Sequence, residues 1–301
     1  MRTWNVTFVI CLLIFGMMTS ASGIVGKAQV NHLLIEGIQH DNPDLLQNAL
    51  NRGASPNATL NGVPVLILAI LKQDPLLVKI LLDRGAVVNH YYGKGFTPLL
   101  VAIDGYFLGG RYCMAVATLH RTPYLFKPNP QIVELLLQKG ANPNVLEPGW
   151  RLPLLERAID QGPYCMNPRI ILALVAHGAS VNARDWRGQR VIEELLDEAH
   201  YRWGNSPLVD SYCQQICSIL LTHGCHVNER DCNGIPLLDL AIEARLPKTV
   251  EVLVKEGADV NEKDTFMPEL GVPHHTPLWT AIRVGDKRII RFLRNHGAVL
   301  Q

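Results

Sequence analysis

One phrase recurs along the chain and limits what it can fold into. An apolar helical stretch ends in Gly, a small residue follows, and Asn stands fourth after the Gly. The glycines are Gly53, Gly85, Gly140, Gly178, Gly224, Gly257 and Gly297. The next residue is Ala in six cases and Cys225 in one. The asparagines are Asn57, Asn89, Asn144, Asn182, Asn228 and Asn261, and the last copy, ending at Gln301, has none. A phrase held in register this way means stacked units, each too small to bury its own apolar face.

A second phrase precedes each Gly. Its fullest form is Thr97-Pro98-Leu99-Leu100-Val101-Ala102-Ile103, closely matched by Thr276-Pro277-Leu278-Trp279-Thr280-Ala281-Ile282. Looser copies run from Pro64 to Ile70, Pro153 to Ile159 and Pro236 to Ile242. Between this phrase and the Gly lies a second apolar helical face, as in Val78 to Leu82 and Ile132 to Leu137. Asn42-Pro43, Asp74-Pro75, Asn129-Pro130 and Asn167-Pro168 each offer an acceptor at the N-cap and Pro in the first turn. The Gly after each second helix can take the left-handed conformation that ends it.

These two phrases resemble the ankyrin repeat, with its T-P-L-H-x-A, second helix and G-A-x-x-N. The resemblance covers 28–301, in copies near 28–57, 58–89, 90–144, 145–182, 183–228, 229–261 and 262–301. It implies an all-α repeat solenoid: stacked helix–turn–helix repeats with β-hairpin fingers, filling 24–301. The chain departs from the pattern where the family's His becomes Leu100 or Trp279, and where Leu195 replaces the small Ala. The family's Thr–His polar network is therefore not expected to be intact. The resemblance further implies a binding protein rather than an enzyme. One or more proteins would dock on a concave face of finger tips and first helices. The finger positions here are Tyr91, Tyr92, Trp150, Arg151, Trp186, Arg187, Asn233 and Phe266. Tyr, Trp and Arg are the types enriched at interface hot spots.

Successive glycines are 32, 55, 38, 46, 33 and 40 residues apart, against a family unit of about 33 residues. Four insertions follow. Three fall between first and second helices, at about 104–127, 160–167 and 197–212, and stacking should bring them to one edge. The fourth, 262–275, lengthens a finger. Cys113 and Cys165 lie in the first two and Cys213 at the end of the third, so Cys113–Cys165 and Cys165–Cys213 are candidate disulfides. An enzyme site built from 104–127 and 197–212 is the rival reading, and a structural or protective periplasmic protein another.

The first residues differ from the rest. Arg2 precedes an apolar run from Phe8 to Met18, and Thr19 to Gly23 are small. That is the layout of a secretory signal over 1–23, too short to span a bilayer. The expected location is therefore periplasmic or secreted, with no stable membrane span after cleavage. Removing Cys11 leaves six cysteines, which an oxidising compartment permits to pair.

Composition excludes other classes. With 48% hydrophobic and 18% charged residues the chain is not disordered, and a net charge of +1 gives no field for nucleic acid. His223, Cys225, His226 and Cys232, with Cys217 upstream, are metal-ligating types. Their spacing fits no standard zinc site, and His before the Gly recurs as His177 and His296, so no metal or cofactor is expected. No cysteine sits in a nucleophile motif, and no acid–base pair or phosphate loop is present. Glu193, Glu194, Asp197, Glu198 and His200 read as a solvated helix face. Lys287, Arg288, Arg291 and Arg294 read as the polar outer face of a terminal repeat. Asn57-Ala58-Thr59 is a glycosylation sequon.

Overall fold

The computed structural model describes residues 29–93, 95–104, 127–149, 151–264 and 275–300. They fall into two compact units, divided after His90. The leader-like segment, most of the first insertion and the long finger lie outside the described residues.

The first unit holds helix α1 (29–39), α2 (Pro43–Asn51), the hairpin strands β1 (Thr59–Leu60) and β2 (Val63–Pro64), α3 (Val65–Leu71) and α4 (Pro75–Asp83). β1 and β2 pair antiparallel, Leu60 opposite Val63. α3 is buried along its whole length, and α4 packs on it through Leu77, Val78, Leu81 and Leu82.

The second unit repeats the same helix pair. First helices are α5 (Pro98–Ile103), α7 (Leu154–Asp160), α10 (Val191–Glu198), α12 (Leu237–Glu243) and α14 (Pro277–Val284). Second helices are α6 (Pro130–Gln138), α9 (Pro168–Ala176), α11 (Pro207–Thr222), α13 (Pro247–Lys255) and α15 (Lys287–Asn295). A short helix, α8 (Gly162–Cys165), and a π-helical turn (Ala199–Trp203) lie between members of two pairs. The two helices of each pair pack on one another, second helices pack on second helices, and from α7 onward first helices pack on first helices. The second unit is therefore an all-α repeat solenoid, with short hairpins closing on single bridges such as Arg184 to Arg190.

The local signals work as their chemistry requires. Asn42, Asp74, Asn129 and Asn167 accept from backbone N–H groups of the turn that follows, each with Pro at the first helical positions. His177, His223 and His296 bond through Nδ1 to the carbonyls of Ala173, Ile219 and Phe292. Histidine before the Gly is thus a helix C-terminal partner, as its recurrence suggests.

Within each unit the recurring Asn bridges one repeat to the next. Asn228 Nδ2 donates to the Gly257 carbonyl (3.0 Å), and its Oδ1 accepts from the Asp259 N–H (2.9 Å). Asn57, Asn144 and Asn261 make the same two bonds to Gly85 and Val87, Gly178 and Ser180, and Gly297 and Val299. Gly257 itself stands at φ 97°, a left-handed conformation that glycine adopts without a Cβ clash. At the first copy, Asn31 on α1 supplies the acceptor for Ser55 N–H. Asn228→Ala is expected to cost about 1–2 kcal/mol, two exposed bonds being lost. Urea unfolding checks this, and an unchanged midpoint would show the bridges contribute nothing.

The second and third insertions do meet, and they are folded rather than loose. The third lengthens α10 by the π turn and starts α11 early, instead of forming a loop. Trp203 packs edge-on against Tyr212 (5.8 Å) and lies against Gly162 at the start of α8. Arg202 spans Asp160 (2.5 Å) and Glu198 (2.7 Å). Cys213 faces the core of α11, and Cys165 is half-buried on α8. Both are free thiols, so the Cys165–Cys213 disulfide is not formed. Cys113 lies outside the described residues, and with Cys165 free the Cys113–Cys165 disulfide is not formed either.

Candidate partner-binding surface

Two of the finger turns are each built around one carboxylate. Asp185 Oδ1 accepts from the N–H groups of Arg187 and Gln189 (both 2.8 Å). Asp231 Oδ1 does the same for Asn233 (2.9 Å) and Ile235 (2.7 Å). Gly188 and Gly234 close the turns onto the Asp carbonyls. In this Asp-x-x-Gly turn the two residues after the Asp are exposed, and the second bonds back to the Asp through its side chain.

Those outward positions hold some of the predicted residues. Trp186 is 64% exposed, with the Arg187 guanidinium 5.8 Å from its ring centre. Arg187 is not available to a partner, because it pairs with Asp185 and Glu194 (both 2.6 Å). Tyr91 is 61% exposed. Tyr92 is half-buried and exchanges backbone bonds with Phe96, and burial raises its hydroxyl. Arg151 is exposed, at φ 57°. Asn233 is exposed and donates its side-chain amide to Asp231 (3.2 Å). Trp150 and Phe266 lie outside the described residues.

Asn233 borders a cavity of about 420 Å³ that sequence reasoning missed. His200 and Tyr201 of the π turn, Asp239 and Glu243 of α12, and Trp279 and Arg283 of α14 also line it. Trp279 stacks on His275 (3.4 Å between centres, 4° between planes). The Arg283 guanidinium lies 5.5 Å from the Trp279 ring and pairs with Glu243. Trp279, which replaces the family's His, thus faces a pocket.

Buried carboxylates run along the first helices. Glu156, Glu193 and Asp239 are each the third residue of a first helix. A carboxylate there can accept the N–H of the residue before the helix. Glu193 does so from Arg190 (3.0 Å). Before Glu156 and Asp239 that residue is Pro153 or Pro236, which has no N–H. All four of their oxygens are left buried without a hydrogen bond. Burial, then Asp185 and Glu194, raises the Glu156 carboxyl to about 8. Burial raises Asp239 to about 8, reinforced by Asp264, Glu243 and Glu262. Thr280 beside it favours the charged form, but its hydroxyl bonds to the Thr276 carbonyl (3.5 Å). The acidic row on α10 is therefore not a solvated face: Glu193 and Glu194 are buried in the array.

Three of the cysteines, Cys213, Cys217 and Cys225, are buried. Burial pushes Cys225 up to about 11 and Cys213 up to about 12, and Cys217 well above the usual thiol range. A nucleophile needs the opposite shift. Among the described residues no three His, Cys, Asp or Glu side chains group to hold a metal ion. Among them, too, no helix is long and apolar enough to cross a membrane.

No family model matches the chain. It is 27% identical over 157 residues to a putative ankyrin repeat protein of Fowlpox virus (strain NVSL), 46% of this chain and 81% of that one. A putative ankyrin repeat protein of Acanthamoeba polyphaga mimivirus is 31% identical over 115 residues, 34% and 66%. An ADP-ribosylation factor GTPase-activating protein of Arabidopsis thaliana is 31% identical over 124 residues, 41% of this chain but only 13% of its own length. Among solved structures, the ankyrin repeat domain of Bcl-3, a member of the IkappaB protein family, superposes with a TM-score of 0.54 at 22% identity, covering 87% of this chain and 97% of that one. An ankyrin repeat domain from Acinetobacter baumannii AYE gives 0.53 at 20% identity, covering 75% and 98%. The chain has the fold of these ankyrin repeat domains, and the viral relatives it resembles are themselves described as ankyrin repeat proteins.

Proposed function

We propose that this chain is an exported ankyrin-repeat protein that binds another protein through its finger tips and first helices. Trp186 carries the reading. The turn closed by Asp185 and Gly188 carries this large aromatic 64% exposed, and exposed aromatics are the type enriched at binding surfaces. Tyr91, on an earlier finger, is exposed in the same way. The export half rests on the leader-like sequence of residues 1–23. The insertion at 197–212 is accounted for by packing around Trp203, which removes the reason to assign it to catalysis.

Trp186→Ala is expected to reduce crosslinked partner recovered from the source cells at least fivefold, with helicity unchanged by circular dichroism. Equal recovery would remove Trp186 from the surface, and lost helicity would make it a packing residue. For export, protein recovered outside the cytoplasm should begin near residue 23. Protein that retains Met1 would overturn that half.

A further inference from the structure

The cavity beside Asn233 carries more than a general docking surface. Its lining is acidic: Asp197, Asp231, Asp239, Glu243 and Asp264, against Arg283 and two imidazoles, His200 and His275. Four of these carboxylates are already engaged. Asp197 accepts from Gln189 Nε2 (2.8 Å), Asp231 holds its finger turn, Glu243 pairs with Arg283, and Asp264 accepts the His275 N–H (3.1 Å). Asp239 is 2% exposed, lines the cavity, and has no partner on either oxygen. A buried carboxylate without a partner is costly, and a donor arriving from outside would relieve the cost.

The shape of that donor follows from the walls. Tyr201, carried out by the π turn, is 80% exposed at the rim, with His200 edge-on to it (4.4 Å). Across the cavity the chain already seats one guanidinium, Arg283, over Trp279 and against Glu243. Flat aromatic faces beside carboxylates suit a planar, forked cation better than a compact ammonium. We infer that this cavity receives the guanidinium of an arginine presented by the bound protein, with Asp239 as its buried anion and Tyr201 as its stacking face. The negative field of the lining draws a basic segment to the surface and sets its register. The inference rests on the reading of the array as a protein-binding surface, and it adds the chemistry of the partner.

The test uses the full chain and a dye-labelled peptide of Gly-Ser-Arg repeats, followed by fluorescence anisotropy. Matched peptides carry lysine or citrulline in place of arginine. Wild type should bind the arginine peptide, bind the lysine peptide more weakly, and bind the citrulline peptide at least tenfold more weakly. Asp239→Asn should weaken the arginine peptide at least tenfold, and Tyr201→Ala several-fold. Asp239→Asn removes a buried acid that has no hydrogen-bond partner, so its thermal midpoint at pH 8 should match or exceed wild type, which separates lost binding from lost folding. Citrulline binding equal to arginine, or Asp239→Asn binding equal to wild type, overturns the inference. If either occurs while partner recovery still depends on Trp186, only the cavity's role falls. If partner recovery is also insensitive to Trp186, the binding surface falls with it.

Discussion

Gly162→Ala is expected to lower the unfolding free energy by about 2–4 kcal/mol. The residue stands at φ 71°, where a side chain costs roughly 1 kcal/mol. A Cβ there would meet Trp203 Cε2 and Nε1 at 2.8 Å and Cζ2 at 3.1 Å. The indole cannot simply swing aside, because its other neighbour is Tyr212, 4% exposed on α11. Overpacking of this kind costs about 1–3 kcal/mol. A double-mutant cycle tests the cause: with Trp203→Leu in place, Gly162→Ala should lose only its backbone cost. Additive losses would show that the two residues do not touch. The π turn that holds Trp203 also holds His200 and Tyr201. The same substitution should therefore loosen the arginine peptide, without touching the cavity directly.

What could be read from the sequence was chemistry that completes itself within a few residues or one repeat step. Asn at an N-cap with Pro behind it, Gly at a helix end and His one turn above its carbonyl all need no distant partner. The asparagine bridges need only the next repeat, so they recur with it. The cavity needed three repeats at once: Tyr201 from one, Asp239 from the next, Trp279 from the last. Arg187 looked like an anchor because its type is common at interfaces, but two nearby carboxylates already hold it. Cys213 looked like an insertion residue, yet the insertion became helix and turned it inward. One signal was present and unread. An acid three residues after a Pro that opens a helix cannot find the N–H it would otherwise bond, as at Pro153 with Glu156 and Pro236 with Asp239.

Those two carboxyls should make the protein more stable in mild acid than at pH 8. The Glu156 carboxyl titrates near 4.5 in the unfolded chain and about 8 in the fold, and Asp239 near 3.8 and about 8. Between these values the native state holds protons that the unfolded state has released. Stability is therefore full below the unfolded values and falls as pH rises, until each carboxyl ionises in place near pH 8. Each group contributes a slope of up to about 1.4 kcal/mol per pH unit. Glu193, Glu194, Asp197 and Glu198 are also raised, chiefly by burial, and add in the same direction. Glu156→Gln keeps the shape and abolishes one titration. It is expected to raise the unfolding free energy at pH 8 by about 1–3 kcal/mol and to flatten the decline from mild acid. Urea unfolding at several pH values measures both. A slope that Glu156→Gln leaves unchanged would mean the carboxyl finds a partner, or water, in the folded protein. If Asp239→Asn stabilises as Glu156→Gln does but alone abolishes the arginine peptide, the costs have different uses. One proline-orphaned acid is then a burden of the repeat, and the other is retained because a partner satisfies it.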